Sequence, residues 1–214
     1  AVLGLSSRQL ATLSTDQTRA LSGEQIANLT IGAIKGLGFD VSGSEGFIFQ
    51  RGLGVFSSIQ IAALNSTQVA ALASEQVASI RPDSIRGLAL DRVRALNTDQ
   101  VAGLTSEQVR QLSEEQIGAL GGVPNGYPSS GYPYSQISGL EAIDISAMRS
   151  TQVGALKPEQ IRAMSGEQVA ALPVSGIFTM KTEVLAAFSS NQIANLTTDQ
   201  AMALTSGQIS ALQG

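Results

Sequence analysis

An eight-residue repeat runs through most of this 214-residue chain. Its consensus is L-[S/T]-x-[E/D]-Q-[I/V]-x-A, and three blocks in different phase hold 4, 8 and 10 complete units, or 22 in all. Of the 19 glutamines, 16 stand at position five, and 18 of the 22 sixth positions are Ile or Val. Regular internal repetition of this kind predicts a repeat array in which neighbouring units share one core.

The spacing of the apolar positions excludes one continuous helix or strand. Positions one and six are separated by five and then three residues. On a continuous α-helix, each unit would turn by about 80° relative to the unit before it, so no apolar stripe would form. On a continuous strand, the two positions would face opposite sides. The backbone must therefore change conformation once in every repeat.

The polar positions indicate where this change occurs. Position two is usually Ser or Thr and Gln follows three residues later, which is the capping box that starts an α-helix. Carboxylates at position four, such as Glu24 and Asp99, suit the positive end of a helix dipole. Pro82 and Pro158 fall at the first helical position, where proline is favoured. These signals predict a short helix that restarts every eight residues.

Helices of about five or six residues are unstable alone, so their stability must come from neighbours. We therefore predict an all-α fold, a solenoid or superhelix of very short capped helices with one helix in each repeat. The alternative is a β-solenoid with two or three octads per coil. The Ile and Val at position six favour this alternative, whereas the Gln, Glu and Ala content and the capping pattern oppose it.

Two insertions divide one continuous solenoid domain. The predicted segments are repeat block 1 (1–37), a Gly/Phe insertion (38–55), repeat block 2 (56–120), a Pro/Gly/Tyr loop (121–131) and repeat block 3 (132–214). Phe39, Phe47 and Phe49 flank a turn-like Gly-Ser-Glu-Gly sequence, which predicts a small β-hairpin. Because the phase of the repeat changes at each insertion, these segments are either loops or corners where the solenoid turns.

The composition argues against catalysis and against several kinds of ligand. His and Cys are absent, which excludes zinc fingers, disulfides, cysteine nucleophiles and Ser-His pairs. Only 13 Lys and Arg and a net charge of −4 disfavour nucleic-acid binding. No apolar run approaches the roughly 18 residues of a membrane span. The acidic column at position four is interrupted, for example at Ile59 and Thr67, so we expect no metal site, no cofactor and no enzyme activity.

Two features remain as candidates for binding. A column of glutamine amides could meet water, ice or sugar, but capping already gives each Gln a structural role. On capping alone, Ser165→Ala should cost about 1 kcal/mol and Gln168→Ala less. Tyr127, Tyr132 and Tyr134 stand in or beside the second insertion. They form either a contact patch for a carbohydrate or other surface ligand, or a loop packed on the solenoid.

The repeat also continues close to both ends of the sequence. Solenoids normally have terminal repeats with polar outer faces, and neither end here has that pattern. The sequence is therefore either a piece of a longer array or a subunit that stacks end to end on copies of itself. The phenylalanines of the first insertion could also pack on a neighbouring chain. The residues expected to take part in self-association are Leu5, Phe39, Phe47, Phe49, Leu204, Ile209 and Leu212.

The sequence LTTDQAMALTSGQISAL at residues 196–212 resembles the octads of very large bacterial surface and secreted proteins of the "heme utilization or adhesion" type. The resemblance implies an extracellular or cell-surface setting in a bacterium. It gives no support for heme, because no His is present as an axial ligand. We expect a non-catalytic structural protein that self-associates into a filament or surface layer. The alternative is an adhesin stalk that contacts a host or matrix ligand through its tyrosines.

Overall fold

The computed structural model describes residues 9–10, 13–37, 52–120 and 136–212. These residues form 20 α-helices of four to six residues and two 3-10 helices, and they contain no strand. The prediction of an all-α solenoid of very short helices is confirmed, and the β-solenoid alternative is wrong. The longest helices in the described ranges have six residues, far fewer than the roughly 20 that cross a membrane.

The helices follow one another at the period of the repeat. Block 1 contains α1 (Thr15–Arg19), α2 (Gly23–Ala27) and α3 (Ile31–Lys35). After the first insertion come a 3-10 helix (Gly52–Val55), α4 (Ser58–Ala63), α5 (Ser66–Ala70), α6 (Ser74–Ser79), α7 (Pro82–Ile85), α8 (Leu90–Ala95), α9 (Thr98–Ala102), α10 (Ser106–Gln111) and α11 (Glu114–Ala119). After the second come a 3-10 helix (Gln136–Gly139), α12 (Ala142–Ser146), α13 (Ser150–Gly154), α14 (Pro158–Ala163), α15 (Gly166–Ala170), α16 (Val174–Thr179), α17 (Thr182–Leu185), α18 (Ser190–Ala194), α19 (Thr198–Met202) and α20 (Ser206–Ala211).

The capping box predicted from the sequence starts just over half of these helices. At each box the side-chain oxygen of the first residue accepts the backbone N–H of the glutamine, and the glutamine Oε1 accepts the N–H of the first residue. In Ser165 and Gln168 these two contacts measure 3.1 and 2.8 Å. The first residues of the complete boxes are Ser14, Ser22, Ser57, Asn65, Asn97, Thr105, Ser113, Ser165, Ser189, Thr197 and Thr205.

The short helices wind into a superhelix with a fractional number of octads in each turn. α5 contacts α8 and α6 contacts α9, so each helix packs on the helix three units later. Hydrogen bonds between turns, described below, join residues 28 and 31 apart. A 28-residue turn of an eight-residue repeat contains about three and a half octads. Each helix therefore lies over the joint between two helices of the preceding turn.

One apolar core runs along the inside of the superhelix. Position six is fully buried through the interior, with Val69, Val101 and Val169 all at 0% exposure. The position-one residues of the interior turns are also buried, and the two sets form one continuous cluster from Leu10 to Phe188. Burial of each such side chain contributes about 1.5–3 kcal/mol, which compensates for the weakness of the separate helices.

The superhelix continues across both insertions. α2 contacts α4 across the first insertion, and α10 contacts α12 across the second. The hydrogen bonds between turns have the same pattern there. The glutamine and the position-one residue that accepts from it are 28 residues apart inside a block, 39 apart across the first insertion and 40 apart across the second. The insertions thus add 11 and 12 residues without turning a corner in the stack. The end of the 38–55 segment forms the 3-10 helix Gly52–Val55, and the unit that begins at Tyr132 joins the stack through Gln136–Gly139. The hairpin predicted around Phe39, Phe47 and Phe49 lies outside the described residues.

Candidate stacking surface

Most junctions between turns are built around the glutamine at position five. In α10, Gln108 is fully buried, and its Oε1 accepts the backbone N–H of Thr105 at 2.9 Å. Its Nε2 donates to the carbonyl oxygens of Val77 and Ile80 in the preceding turn, at 2.9 and 2.6 Å. One amide therefore caps the start of its own helix and the end of another.

This second contact explains how such short helices tolerate burial. The last four carbonyls of any α-helix lack an intrahelical partner, and in a five-residue helix they are most of its carbonyls. A buried carbonyl without a donor costs about 1–3 kcal/mol. The amide Nε2 supplies that donor from the next turn. The glutamines that make such contacts within the described residues are Gln60, Gln68, Gln76, Gln100, Gln108, Gln116, Gln136, Gln152, Gln160, Gln168, Gln192, Gln200 and Gln208.

The capping role of these glutamines was predicted from the sequence, but their contact between turns was not. The signal was present, because a capping box accepts Glu as readily as Gln, yet no octad of this chain has Glu at position five. A carboxylate caps its own helix equally well but cannot donate to a carbonyl. The amide column is also buried inside the stack, so it is not the exposed ladder for water, ice or sugar considered above.

Several units replace the glutamine, and two of the replacements also donate to a carbonyl of the preceding turn. The Ser84 hydroxyl donates to the Phe56 carbonyl at 2.8 Å, and Arg92 Nε donates to the Leu64 carbonyl at 2.6 Å. Asp144 has no donor to offer and instead accepts the Ser106 hydroxyl at 2.8 Å. The remaining replacements at described positions are Ala33, Gly176 and Val184.

Gln136 lacks one of these hydrogen bonds because of the residue at position two of its unit. Its Nε2 donates to the carbonyl of Leu96, but its buried Oε1 has no hydrogen-bond partner. In the other units this oxygen accepts the N–H of the residue at position two. Here position two is Pro133, which has no N–H. The orphaned oxygen thus follows directly from the sequence.

The last described turn presents one half of such a junction to solvent. The carbonyls of Phe188, Leu196 and Leu204, which occupy position one, accept no hydrogen bond from any described residue. The apolar positions are uncovered as well. Ile209 at position six is 45% exposed, whereas its interior equivalents are at 0%. Ala201 is exposed, and Leu212 is half-buried.

The first described turn presents the other half. Gln17 and Gln25 cap their own helices by accepting the N–H groups of Ser14 and Ser22, each at 2.8 Å. Gln17 is exposed and Gln25 is half-buried, in contrast to the buried glutamines of later turns. Within the described ranges, neither Nε2 reaches an acceptor. Amide donors therefore lie at one end of the described stack and carbonyl acceptors at the other.

The residues predicted to take part in self-association are only partly described. Leu204, Ile209 and Leu212 lie together on the open last turn, as part of the face that a further turn would cover. Nothing in the sequence pattern alone showed that Gln17 and Gln25 belong to the matching face. The other predicted residues, Leu5, Phe39, Phe47 and Phe49 for association and Tyr127, Tyr132 and Tyr134 for ligand contact, lie outside the described residues.

A polar groove on the side of the stack has its cations already engaged. Arg86 and Arg149 line it, together with Ser113 and Glu115. Arg86 Nε donates to the carbonyl of Gln111 at 2.9 Å, and the guanidinium of Arg149 donates to a carbonyl of the same helix end at 3.0 Å. The pKa of Glu115 is lowered because its own backbone N–H and the Ser113 hydroxyl hydrogen-bond its carboxylate. Among the described residues, no group of three or more acidic side chains is arranged to hold a metal ion.

Comparison with known families supports the repeat architecture. Residues 85–121 and 179–213 match the model of the ALTTAQ repeat, so these two regions are similar to that repeat. The match indicates a repeat protein and does not extend to the adhesin-type identity that the octads resemble. No curated protein matched the chain.

Proposed function

We propose that this chain has a non-catalytic structural role, in which copies stack end to end to build a filament or surface layer. The observation that supports the proposal is the junction between turns, in which each turn covers the apolar core and the carbonyls of the turn before it through one repeated set of contacts. Covering Ile209, which is 45% exposed, would contribute about 1 kcal/mol to association. A contact between the last turn of one copy and the first turn of the next is heterologous and does not close on itself, so it propagates.

The similarity of 196–212 to octads of secreted bacterial proteins supports an extracellular location as part of this proposal. The match to the ALTTAQ repeat supports the structural role, because it concerns the repeat and no active site. An extracellular filament would also accord with the absence of cysteine, which removes any dependence on the redox state of the surroundings.

The test is the concentration dependence of assembly of the full chain. Light scattering and electron microscopy should show particles that lengthen with concentration. Ile209→Asp should abolish this growth, because a charge would enter an apolar contact. Ile59→Asp is the matched control, because Ile59 is 76% exposed on the side of the stack, and this variant should assemble normally. Monomers at every concentration would overturn the proposal, as would equal effects of the two variants.

A further inference from the structure

The polar groove on the side of the stack combines two arginines with apolar and acidic neighbours. We propose that this groove binds the C-terminal end of a peptide whose last side chain is apolar, with the carboxylate held between Arg86 and Arg149. The groove has a volume of about 620 Å³ and is also lined by Leu90 and Glu115. Sites for small ligands typically have volumes of about 300–1,000 Å³. Binding here does not depend on the stacking of copies.

The two guanidinium groups are held close together by one helix end. Arg86 Nε donates to the carbonyl of Gln111 at 2.9 Å, and Arg149 Nη2 donates to the carbonyl of Leu112 at 3.0 Å. These acceptors belong to consecutive residues, whose Cα atoms are about 3.8 Å apart. Each bond fixes the position of a guanidinium but uses only one of its five N–H donors. The other donors are therefore available to a ligand.

The two cations also lack an acidic partner among the described residues. The ion pairs within the described ranges join other side chains, such as Arg92 with Asp91. Two like charges side by side repel each other, and a bound anion would relieve this repulsion. Carboxylate and phosphate both match the planar fork of a guanidinium. Because Glu115 lies in the same groove, a singly charged carboxylate is favoured over a doubly charged phosphate.

The other lining residues match the atoms next to a peptide carboxylate. The pKa of Glu115 is lowered by hydrogen bonds from its own backbone N–H and the Ser113 hydroxyl, so this side chain is ionised at neutral pH. It can accept the N–H of the last peptide bond of a ligand. Leu90 stands at position three, where Ser and Thr are common, and it is 37% exposed. It offers an apolar surface for the last side chain of the peptide.

The units around the groove depart from the repeat in a way that weakens their helices. Ala89 and Arg149 stand at position two, where Ser or Thr caps other helices, and neither side chain makes a cap hydrogen bond. The loss of a cap destabilises a helix, and a cation near a helix N-terminus opposes the helix dipole. Departures from local rules of this kind are typical of functional sites.

The experiment titrates the full chain with a short peptide that ends in Ala-Leu and has a free carboxylate, followed by isothermal titration calorimetry. The matched probe is the same peptide with a C-terminal amide, which removes the negative charge. We expect the amide form to bind at least about tenfold more weakly, because hydrogen bonds between charged groups are the stronger ones. Equal binding of the two forms, or no binding of the carboxylate form, overturns the proposal.

Substitutions in the groove identify the groups that bind. Arg86→Gln and Arg149→Gln should each weaken binding of the carboxylate peptide by about tenfold. Arg162→Gln is the matched control, because Arg162 is exposed at position seven like Arg86 but does not line the groove. Leu90→Ser keeps both arginines and should weaken binding of the peptide that ends in Leu but not of one that ends in Gly. Circular-dichroism spectra show whether each variant is folded.

The outcomes distinguish this site from a general effect of charge and from another class of ligand. Unchanged binding in both groove variants overturns the proposal, as does an equal loss in Arg162→Gln. Oligomers of galacturonic acid carry carboxylates without a peptide N–H or an apolar side chain. If they bind more tightly than the peptide, the ligand is an acidic sugar and the peptide assignment is wrong. A chain that forms no filaments would refute the proposed function and leave these binding results unaffected.

Discussion

Replacing one buried glutamine by glutamate separates the two roles of position five. Gln108→Glu keeps an oxygen that accepts the Thr105 N–H, so the helix remains capped. It replaces the Nε2 donor by a second oxygen that faces the carbonyls of Val77 and Ile80 at 2.6–2.9 Å. Two hydrogen bonds of about 1 kcal/mol are lost, and buried acceptors and a buried charge are left without donors. We expect the free energy of unfolding to fall by about 3–5 kcal/mol.

Gln17→Glu is the matched control for this substitution. It makes the same chemical change at the same octad position, beside the same kind of cap, but Gln17 is exposed and its Nε2 donates to no described group. A carboxylate near a helix N-terminus is favourable by about 0.3–1 kcal/mol. The stability of this variant should therefore stay within about 1 kcal/mol of the unmodified chain.

The assay is unfolding followed by far-ultraviolet circular dichroism, at a concentration where the chains are monomeric. A loss of 3–5 kcal/mol in a chain of this size lowers Tm by roughly 6–20 °C. Comparable Tm values for Gln108→Glu and Gln17→Glu would refute the reasoning. Such a result would mean that capping alone accounts for the glutamine column.

The pH dependence of the stability of Gln108→Glu gives a second test of the same reasoning. Burial and the facing carbonyls should raise the pKa of the introduced carboxyl in the folded state above its unfolded value of about 4.3. Below the unfolded pKa the group is protonated in both states, and its O–H can donate to a carbonyl. As pH rises from about 4 through the folded pKa, stability is lost. The deficit relative to the unmodified chain should therefore shrink on acidification.

Two further predictions concern the same stack. Ser165→Ala removes one cap and should lower the free energy of unfolding by about 1 kcal/mol. Gln168→Ala also removes donors to the preceding turn and should lower it by about 2–4 kcal/mol in thermal melts. The order expected from capping alone is thus reversed. Gly176→Ala would place a Cβ 2.6 Å from Val153 Cβ and should lower stability by about 1–3 kcal/mol. Gly207→Ala, with no atom within 4 Å of the new Cβ, should leave Tm unchanged or raised, and equal losses at the two glycines would contradict the role of close packing.

The helices were predictable from sequence because their determinants are local. Ser165 and Gln168 are three residues apart, so the capping box is visible in any single octad. Proline at the first helical position is also a local signal, and both Pro82 and Pro158 start helices as predicted. The core positions follow from the same period, since each leucine and each Ile or Val recurs every eight residues.

The number of octads in each turn was not predictable, because it depends on contacts between residues far apart in sequence. Gln100 gives no local indication that its Nε2 lies against the carbonyl of Leu72, 28 residues earlier. The same limit hid the matching face at the first turn. Gln17 and Gln100 occupy identical positions in the consensus, and only their place in the stack distinguishes an exposed amide from a buried one.

The unchanged contacts across the two insertions have a consequence for how a chain of this kind can vary. The stack remakes the same hydrogen bonds whether 28, 39 or 40 residues intervene. Closing a flexible loop of twice the length costs only about 0.6 kcal/mol more, whereas deleting part of an octad would remove the cap or the core residues of that octad. Changes of length are therefore tolerated between octads and destabilising within them. A natural or engineered array can thus present new segments at these two points while the supporting scaffold keeps its register.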